Sequence, residues 1–469
     1  LFIALLSITT LFSQRGKDGA KIINSTEVIN SFTTLTNNAS IGDFSINVAN
    51  SNLNTSTLGN LAQGDLIMIY QVQGTSIDDS LIGNINTWSK WFAKWGAIIN
   101  YNNCGNYQFL QVESVPNINT INFDCALKHS YTASGNVLVI RVPRYSSLTI
   151  NNGGILTTTQ WNGNSGGVLA AEVDGITTVN TGGLIDVSGL GFRGGQAVNG
   201  NQSSVYGGLR YADANPLEGA EKGEGIAGDQ VVYDSFNNGG ARYCRGAPAN
   251  AGGGGNAHNA GGGGGANAGD INAWNNGIGN PDISNPNHIN AWALDTSFSP
   301  TILTSSGGGR GGYSILKNNR NELTTGPNNT LWGGDDRRDN GGLGGRPLDY
   351  STGKIFFGGA GGAGEGDNGD ASDGGNGGGL IFLNTYGDII GGGKIIANGE
   401  DGEDVDPGSA PIGQLVGVDA AGGAGAGGTI ILKTTGNVSV DSLIANGGRG
   451  GNQVLVAGLF YGGIDEAEG

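Results

Sequence analysis

Three segments of this chain share one frame: two glycines, seven residues, one glycine. They are GGVLAAEVDG (Gly166–Gly175), GGLIFLNTYG (Gly378–Gly387) and GGTIILKTTG (Gly427–Gly436). Each is followed 11 to 14 residues later by a second strand-like run ending in a turn: LIDVSG to Gly189, KIIANG to Gly399, and LIANGG with its first glycine at 447. A partial copy, LTINNGGILTTTQWNG, precedes them at Leu148–Gly163. One such unit is too short to bury its own apolar face, whereas units stacked on each other share a continuous core of Val, Ile and Leu. The frame therefore predicts a mainly β protein: a parallel β-helix (solenoid) over residues 146–469.

Residues 20–145 read differently. FSINV, DLIMIYQVQ, YQFLQVESV, TINFDCAL and NVLVIRVPRY are β-branched or aromatic runs separated by Gly, Asn, Pro and Ser turns. They predict an N-terminal β domain. Glycine marks the boundary, since only ten of the 92 glycines fall within residues 1–150.

The remaining glycines leave the repeat after VSG, ANG and IANGG and return at the next GG, so they form insertions; the major one spans about 191–349. Glycine alone favours disorder, because ordering it costs more backbone entropy than any other residue. These insertions, however, carry Tyr206, Tyr211, Trp274, Trp292 and Trp332, hold few charges, and place Gly358, Gly361 and Gly364 at a spacing of three. Three residues per turn is the period of a polyproline II helix, which has no internal hydrogen bonds and must bond to its neighbours. The insertions are expected to pack as polyproline/polyglycine II helices.

A net charge of −17 disfavours nucleic acid and anionic lipid as partners. Residues 1–13, from LFIALLSITTLFS, read as the remnant of a signal peptide, with cleavage expected between Ser13 and Gln14. The chain reads as cut at both ends, truncated at its C-terminus.

Candidate sites are few. Trp88, Trp91 and Trp95 share one face of a short helical pattern; such a stripe either seals a core or offers a platform on which sugar rings stack. Asp367, Asp370 and Asp373, and the acidic run from Glu400 to Asp406, place carboxylates on glycine-hinged loops that suit Ca2+ or stand as solvated turns. No other cofactor is expected. Cys104 and Cys125 lie in neighbouring strand-like segments and could form a disulfide or remain reduced. His258, between two glycine runs, is read as a structural bridge, since nothing in sequence supplies a nucleophile or an orienting acid. HxxxH, CxxC, HExxH and GxxxxGK[ST] spacings are absent. Polysaccharide-cleaving β-helices use paired acids, but Glu172, Asp174, Asp186 and Asp388 are scattered.

The stretches GDLIMIYQVQG, NNCGNYQF, VIRVPRY, GFRGG, GEGIAG, RGAPANAGGGGNAHNAGGGGGAN, GGGRGGYS, WGGDDRR and GGLGGRPLDYSTG, spread over most of residues 60–385, carry a likeness. The chain resembles the large glycine-rich surface proteins and adhesins of Bacteroidetes that leave the cell by type IX secretion, gliding-motility adhesins among them. The resemblance implies a secreted protein on the outer cell surface, attached through a C-terminal region missing from this chain. It implies binding to extracellular glycans or solid surfaces without catalysis. A carbohydrate-active enzyme and an ice- or mineral-binding surface are the alternatives; LTTT (Leu156–Thr159) and ITT (Ile176–Thr178) hint at the latter.

Overall fold

The computed structural model describes residues 15–80, 95–199, 210–236, 240–256, 260–274, 306–312, 341–366, 371–405 and 419–451. The protein is mainly β. Three parallel sheets are visited in rotation; the first circuit adds a strand to the second and third sheets, and each later circuit adds one strand to all three. The first sheet orders Arg144–Tyr145, Val168–Val173, Leu380–Thr385 and Thr429–Thr434. The second orders Ala20–Ile23, Ser147–Ile150, Thr177–Val179, Ile389–Ile390 and Val438–Ser439. The third orders Thr26–Val28, Ile155–Thr157, Leu184–Asp186, Lys394–Ile396 and Ser442–Ile444.

The GG-x7-G frame supplies the first-sheet strand of successive circuits, in register Ala170↔Phe382↔Ile431. Side chains alternate across a strand, and here both faces are covered. Leu169, Ala171 and Val173 point into the stack with Leu148, Ile150, Leu156, Ile185, Ile381 and Leu383. Val168 and Ala170 face outward onto Leu66, Met68, Leu138 and Ile140. A strand buried on both sides reads as a continuous apolar run, which is what VLAAEV and LIFLNT show. At the corner between second and third sheets, Asn151 donates to Asn24 Oδ1 (2.8 Å) and Asn180 to Asn151 Oδ1 (3.0 Å), a side-chain ladder crossing successive circuits.

Two boundaries differ from expectation. Residues 20–28 are not part of the N-terminal domain: they pair in parallel with Ser147–Ile150 and Ile155–Thr157 and form the first circuit. Their short, half-polar strands AKII and TEV gave no repeat frame to recognise. The antiparallel unit is instead an excursion between the first two circuits. Its sheet orders Phe32–Thr34, Val137–Val142, Leu66–Gln71, Tyr107–Asn117, Thr120–Phe123 and Ser45–Asn47. Nor does the chain divide at residue 146 in packing terms. One apolar cluster joins Tyr70 and Val72 of this sheet, Trp161 and Phe382 of the circuits, and Phe192, Tyr233, Phe356 and Phe357 of the glycine-rich segments.

The glycine-rich segments are cross-bonded through their main chains. Gly358, Gly361 and Gly364 donate to the carbonyls of Gly378, Gly375 and Ser372 at 3.0, 2.9 and 3.0 Å. Gly359, Gly362 and Glu365 donate to Ala266, Gly263 and Ala260 at 2.9, 2.8 and 3.1 Å. Ala360 and Ala363 donate to Glu224 and Glu221 at 3.1 and 2.9 Å. The partner changes at every residue and returns at every third, and each of the three neighbours runs antiparallel to this segment. The spacing of three seen in sequence understates the demand for glycine. A β-carbon on Gly361 would lie 1.9 Å from the Gly423 oxygen, and one on Gly362 would lie 2.1 Å from the Gly253 oxygen. From Gly358 to Gly364 two positions in three are glycines whose added β-carbon would clash with a neighbouring main chain, and the third holds the buried Ala360 and Ala363; at Glu365 the pattern ends.

Candidate functional site

A group of buried titratable side chains joins the antiparallel unit, the circuits and the glycine-rich segments. Glu224 is fully buried. Its Oε1 accepts from Trp161 Nε1 (2.8 Å) and Gln73 Nε2 (3.0 Å), and its Oε2 from the Arg193 backbone N–H (3.0 Å) and Nε (2.9 Å). Burial raises its pKa, with Arg193 and the Trp161 hydrogen bond pulling the other way. Arg193 also pairs with Asp229 Oδ2 at 3.2 Å, and Asp229 caps the helix Gln230–Asp234 by accepting from Val232 N.

Lys222 lies alongside, also fully buried. Its Nζ donates to the carbonyls of Tyr211 (2.8 Å), Tyr243 (2.5 Å) and Cys244, and sits 4.8 Å from the Trp95 ring centroid. Burial lowers its pKa to about 7. Arg346 donates to the carbonyls of Ala247 and Trp95 and lies 4.4 Å over the Trp274 ring.

Chemically this cluster is saturated. Four donors occupy the two Glu224 oxygens, and three main-chain carbonyls surround the Lys222 Nζ. Enclosed on all sides by these partners, the buried Glu224 and Lys222 fasten three parts of the fold together. Four other carboxylates are similarly engaged. Glu172 pairs with Arg144 at 2.6 Å, and Asp65 with Arg141 at 2.7 Å and Lys17 at 2.5 Å. Asp186 accepts from Ser188 N, and Asp388 from Asn437 N.

The sequence candidates fare unequally. Trp95 is no platform: it is 1% exposed, wedged against Lys222 and so close to Gly246 that a β-carbon there would lie 2.3 Å from its ring. Trp88 and Trp91 lie outside the described residues, as do His258, Asp367, Asp370 and residues 1–13. Asp373 accepts from Ala197 N at 2.5 Å. Among the described residues no group of three or more His, Cys, Asp or Glu side chains is placed to hold a metal ion. Cys104 and Cys125 are not joined. Cys104 is buried and donates to the Val72 carbonyl, whereas Cys125 is exposed just beyond the strand Thr120–Phe123. Burial pushes the Cys104 thiol up to about 12.

The threonines that hinted at an ice-binding row are dispersed: Thr158 donates to Val168 O, Thr177 is buried against Thr385, and Thr157 donates to Asp186 O. Among the described residues, one surface open to solvent is the outer face of the second and third sheets. It carries the columns Ile22–Thr149–Thr178–Ile390–Ser439 and Val28–Thr157–Asp186–Ile396–Ile444. The signal for this surface was present in sequence as the alternation within SLTI and ILT, but the middle strand of each circuit had to be seen before the columns aligned.

No family model matches the sequence, and no curated protein matches it. Solved structures that match include the tailspike gp61 of Pseudomonas phage phi297, with 13% identity, a TM-score of 0.16, and coverage of 33% of this chain and 24% of that one. The Gp54 tailspike of Acinetobacter baumannii bacteriophage AP22, solved with A. baumannii capsular saccharide, matches at 13% identity and a TM-score of 0.16, covering 36% of this chain and 33% of that one. The tailspike gp49 of Pseudomonas phage LKA1 matches at 16% identity and a TM-score of 0.16, covering 36% and 28%. This chain thus spans between 24% and 33% of the length of the tailspikes it matches.

Proposed function

We propose that this protein is a secreted, surface-displayed adhesive or structural body that binds extracellular glycans or solid surfaces and performs no catalysis. Its frame would be a β-helix of three-stranded circuits braced by a lattice of polyglycine II helices. The observation that carries this reading is the bonding of Gly358–Glu365, whose donors serve three neighbouring segments in strict rotation. Such a lattice obtains stiffness from main-chain hydrogen bonds and leaves the surface poor in reactive side chains, as suits a load-bearing scaffold. The consumption of Glu224, Glu172 and Asp65 in structural pairs supports the non-catalytic part. Adhesion would then arise from many weak contacts whose avidity sets the strength.

The test has two arms. In hydrogen exchange, the amides of Gly358–Glu365 should be protected as strongly as those of Leu380–Thr385; exchange at unfolded-peptide rates removes the scaffold. In the second arm, the protein is incubated with immobilised bacterial and algal polysaccharides. Retention without soluble oligosaccharide supports adhesion, and release of oligosaccharide replaces it with a carbohydrate-active enzyme.

A further inference from the structure

The antiparallel sheet closes on itself. Its outermost strands meet through the Leu35–Val48 bridge, with Thr36 N donating to Asn47 O (2.9 Å) and Ala49 N to Thr34 O (3.0 Å). Leu127 and Tyr131 are buried in the apolar cluster that it encloses. Beside them two loops are laced together. Ala39 and Tyr131 exchange main-chain bonds (3.0 and 2.8 Å), Gly42 N donates to Leu127 O (2.9 Å), and Leu127 N donates to Asp43 O (2.8 Å). Three side chains then pin the second loop. Gln108 accepts from Lys128 N (2.7 Å) and donates to Ala126 O (3.2 Å), Asn106 donates to Ser130 O (3.3 Å), and Gln71 accepts from Thr132 N (2.8 Å). A surface loop held at so many points pays little further ordering cost on binding.

The two loops present an aromatic ring and cations. Phe44 is 58% exposed, and Lys128 and His129 are exposed. Lys354 lies close by: its Nζ donates to Asn106 Oδ1 (2.9 Å), on the side chain that holds Ser130, and to the carbonyls of Asn102 (3.0 Å) and Cys104 (2.6 Å). Partial burial, then Lys354 and Lys128, lower the His129 pKa, so the three groups share one surface. Among the described residues none of the three forms an ion pair, whereas Lys17, Lys21, Arg141 and Arg242 each meet a carboxylate. Asp43 and Asp124 border the surface and accept bonds of their own, from Ser40 N (2.7 Å) and Gln111 Nε2 (3.1 Å). Residues 29–143 contain six Asp and Glu against four Lys and Arg, so most of the −17 resides elsewhere in the chain. Charge more than ~10 Å away is largely screened at ~0.1 M salt.

We propose that this end of the antiparallel unit binds a polysaccharide of uronic acids, an inference that deepens the glycan-binding reading above and rests on it. A uronate ring offers an apolar face, hydroxyl groups and one carboxylate. Phe44 supplies a flat ring on which a sugar face stacks, and Lys128 an ammonium for a charge-assisted bond to the carboxylate. His129 supplies ring nitrogens for hydroxyl groups. Lys354, already tied to three oxygens, strengthens the local positive field without touching the ligand. A neutral glycan would leave the Lys128 charge unused. An anionic lipid surface suits the site less, because Phe44 and the nearby Ile41 are a small apolar area beside the broad face of a membrane-seated helix.

The experiment measures binding of the full chain to immobilised polygalacturonate and to the same polymer methyl-esterified, which keeps the rings and removes their charge. The expected result is tighter binding to polygalacturonate that weakens as salt is raised. Lys128→Glu should weaken it about tenfold and Phe44→Ala about threefold, while Lys394→Glu, on the third sheet, leaves it unchanged. Lys128 and Phe44 are exposed, so thermal melting of these variants should match the parent; His129→Ala, also expected to weaken binding, serves if either fails to fold. Equal binding to the two polymers, or polygalacturonate binding indifferent to Lys128→Glu and Phe44→Ala, overturns the inference and leaves adhesion to glycans standing. So does failure to bind polygalacturonate while other polysaccharides are retained. If no polysaccharide is retained, the glycan reading falls with it. Binding to phosphatidylserine vesicles in place of polygalacturonate, lost with Lys128→Glu, reassigns the surface to lipid and likewise overturns the inference.

Discussion

The carbonyl oxygen of Gly423 stands 1.9 Å from where a β-carbon on Gly361 would be. The obstacle is main chain held by its own hydrogen bonds, Gly423 N donating to Gly362 O and Gly375 N to Gly423 O. No rotamer change relieves such a clash. Gly361→Ala should therefore destabilise the protein by about 1–3 kcal/mol, the cost typical of overpacking. Gly59→Ala, with open space around it, should leave the melting temperature within error. Equal effects of the two in differential scanning calorimetry would contradict the lattice.

Glu224 holds four donors from three parts of the fold, so its removal strips bonds from Trp161, Arg193 and Gln73 at once, although Arg193 keeps Asp229 and Gln73 keeps the Gly225 carbonyl. Glu224→Ala should cost about 3–5 kcal/mol, the range for breaking a buried charged pair from one side. Glu224→Gln keeps part of the hydrogen bonding and should cost less. Denaturant melts of the two variants give the order, and a reversed order would contradict the bonding role of Glu224.

Cysteine accessibility separates cleanly. Cys104 and Cys244 are buried, with burial pushing both thiols up to about 12, whereas Cys125 is exposed. The thiolate is the reactive form. A thiol reagent at mild alkaline pH should modify Cys125 in the folded protein and the other two only after denaturation. Two protected, oxidised sulfurs in denatured, unreduced protein would restore the Cys104–Cys125 disulfide.

Lys222 makes stability depend on pH in an unusual direction for a lysine. Its ordinary pKa of 10.5 is lowered by burial to about 7 in the folded chain. Above that value the unfolded chain binds a proton that the folded chain lacks. Stability therefore rises as pH climbs from about 7 toward 9 and gains nothing from this group below it. Melting temperatures at pH 7 and 9 should show the increase, and Lys222→Met should flatten it. Arg346, which burial lowers to about 9, adds to the rise in the upper part of that window, so the Lys222→Met comparison is read between pH 7 and 8.

Much of this architecture can be read from local pattern. The apolar runs in the GG-x7-G frame can satisfy both faces only if both are covered, and their recurrence implies parallel pairing of one circuit on the next. The glycine spacing likewise implies a three-residue turn, because a polyproline II helix must find its hydrogen bonds outside itself. Three features needed the folded chain. Residues 20–28 join the stack only because Ala20–Ile23 finds Ser147–Ile150 across more than a hundred residues, and no local preference records a partner so distant. Trp95 lies on a face that helical spacing leaves free to be core or platform, and contact with Lys222 and Gly246 makes it core. The fate of Glu224, Lys222 and Cys104 was equally undecided in sequence, since burial and bonding partners are properties of packing. Periodicity is written residue by residue in the chain, whereas burial comes from which distant surfaces meet.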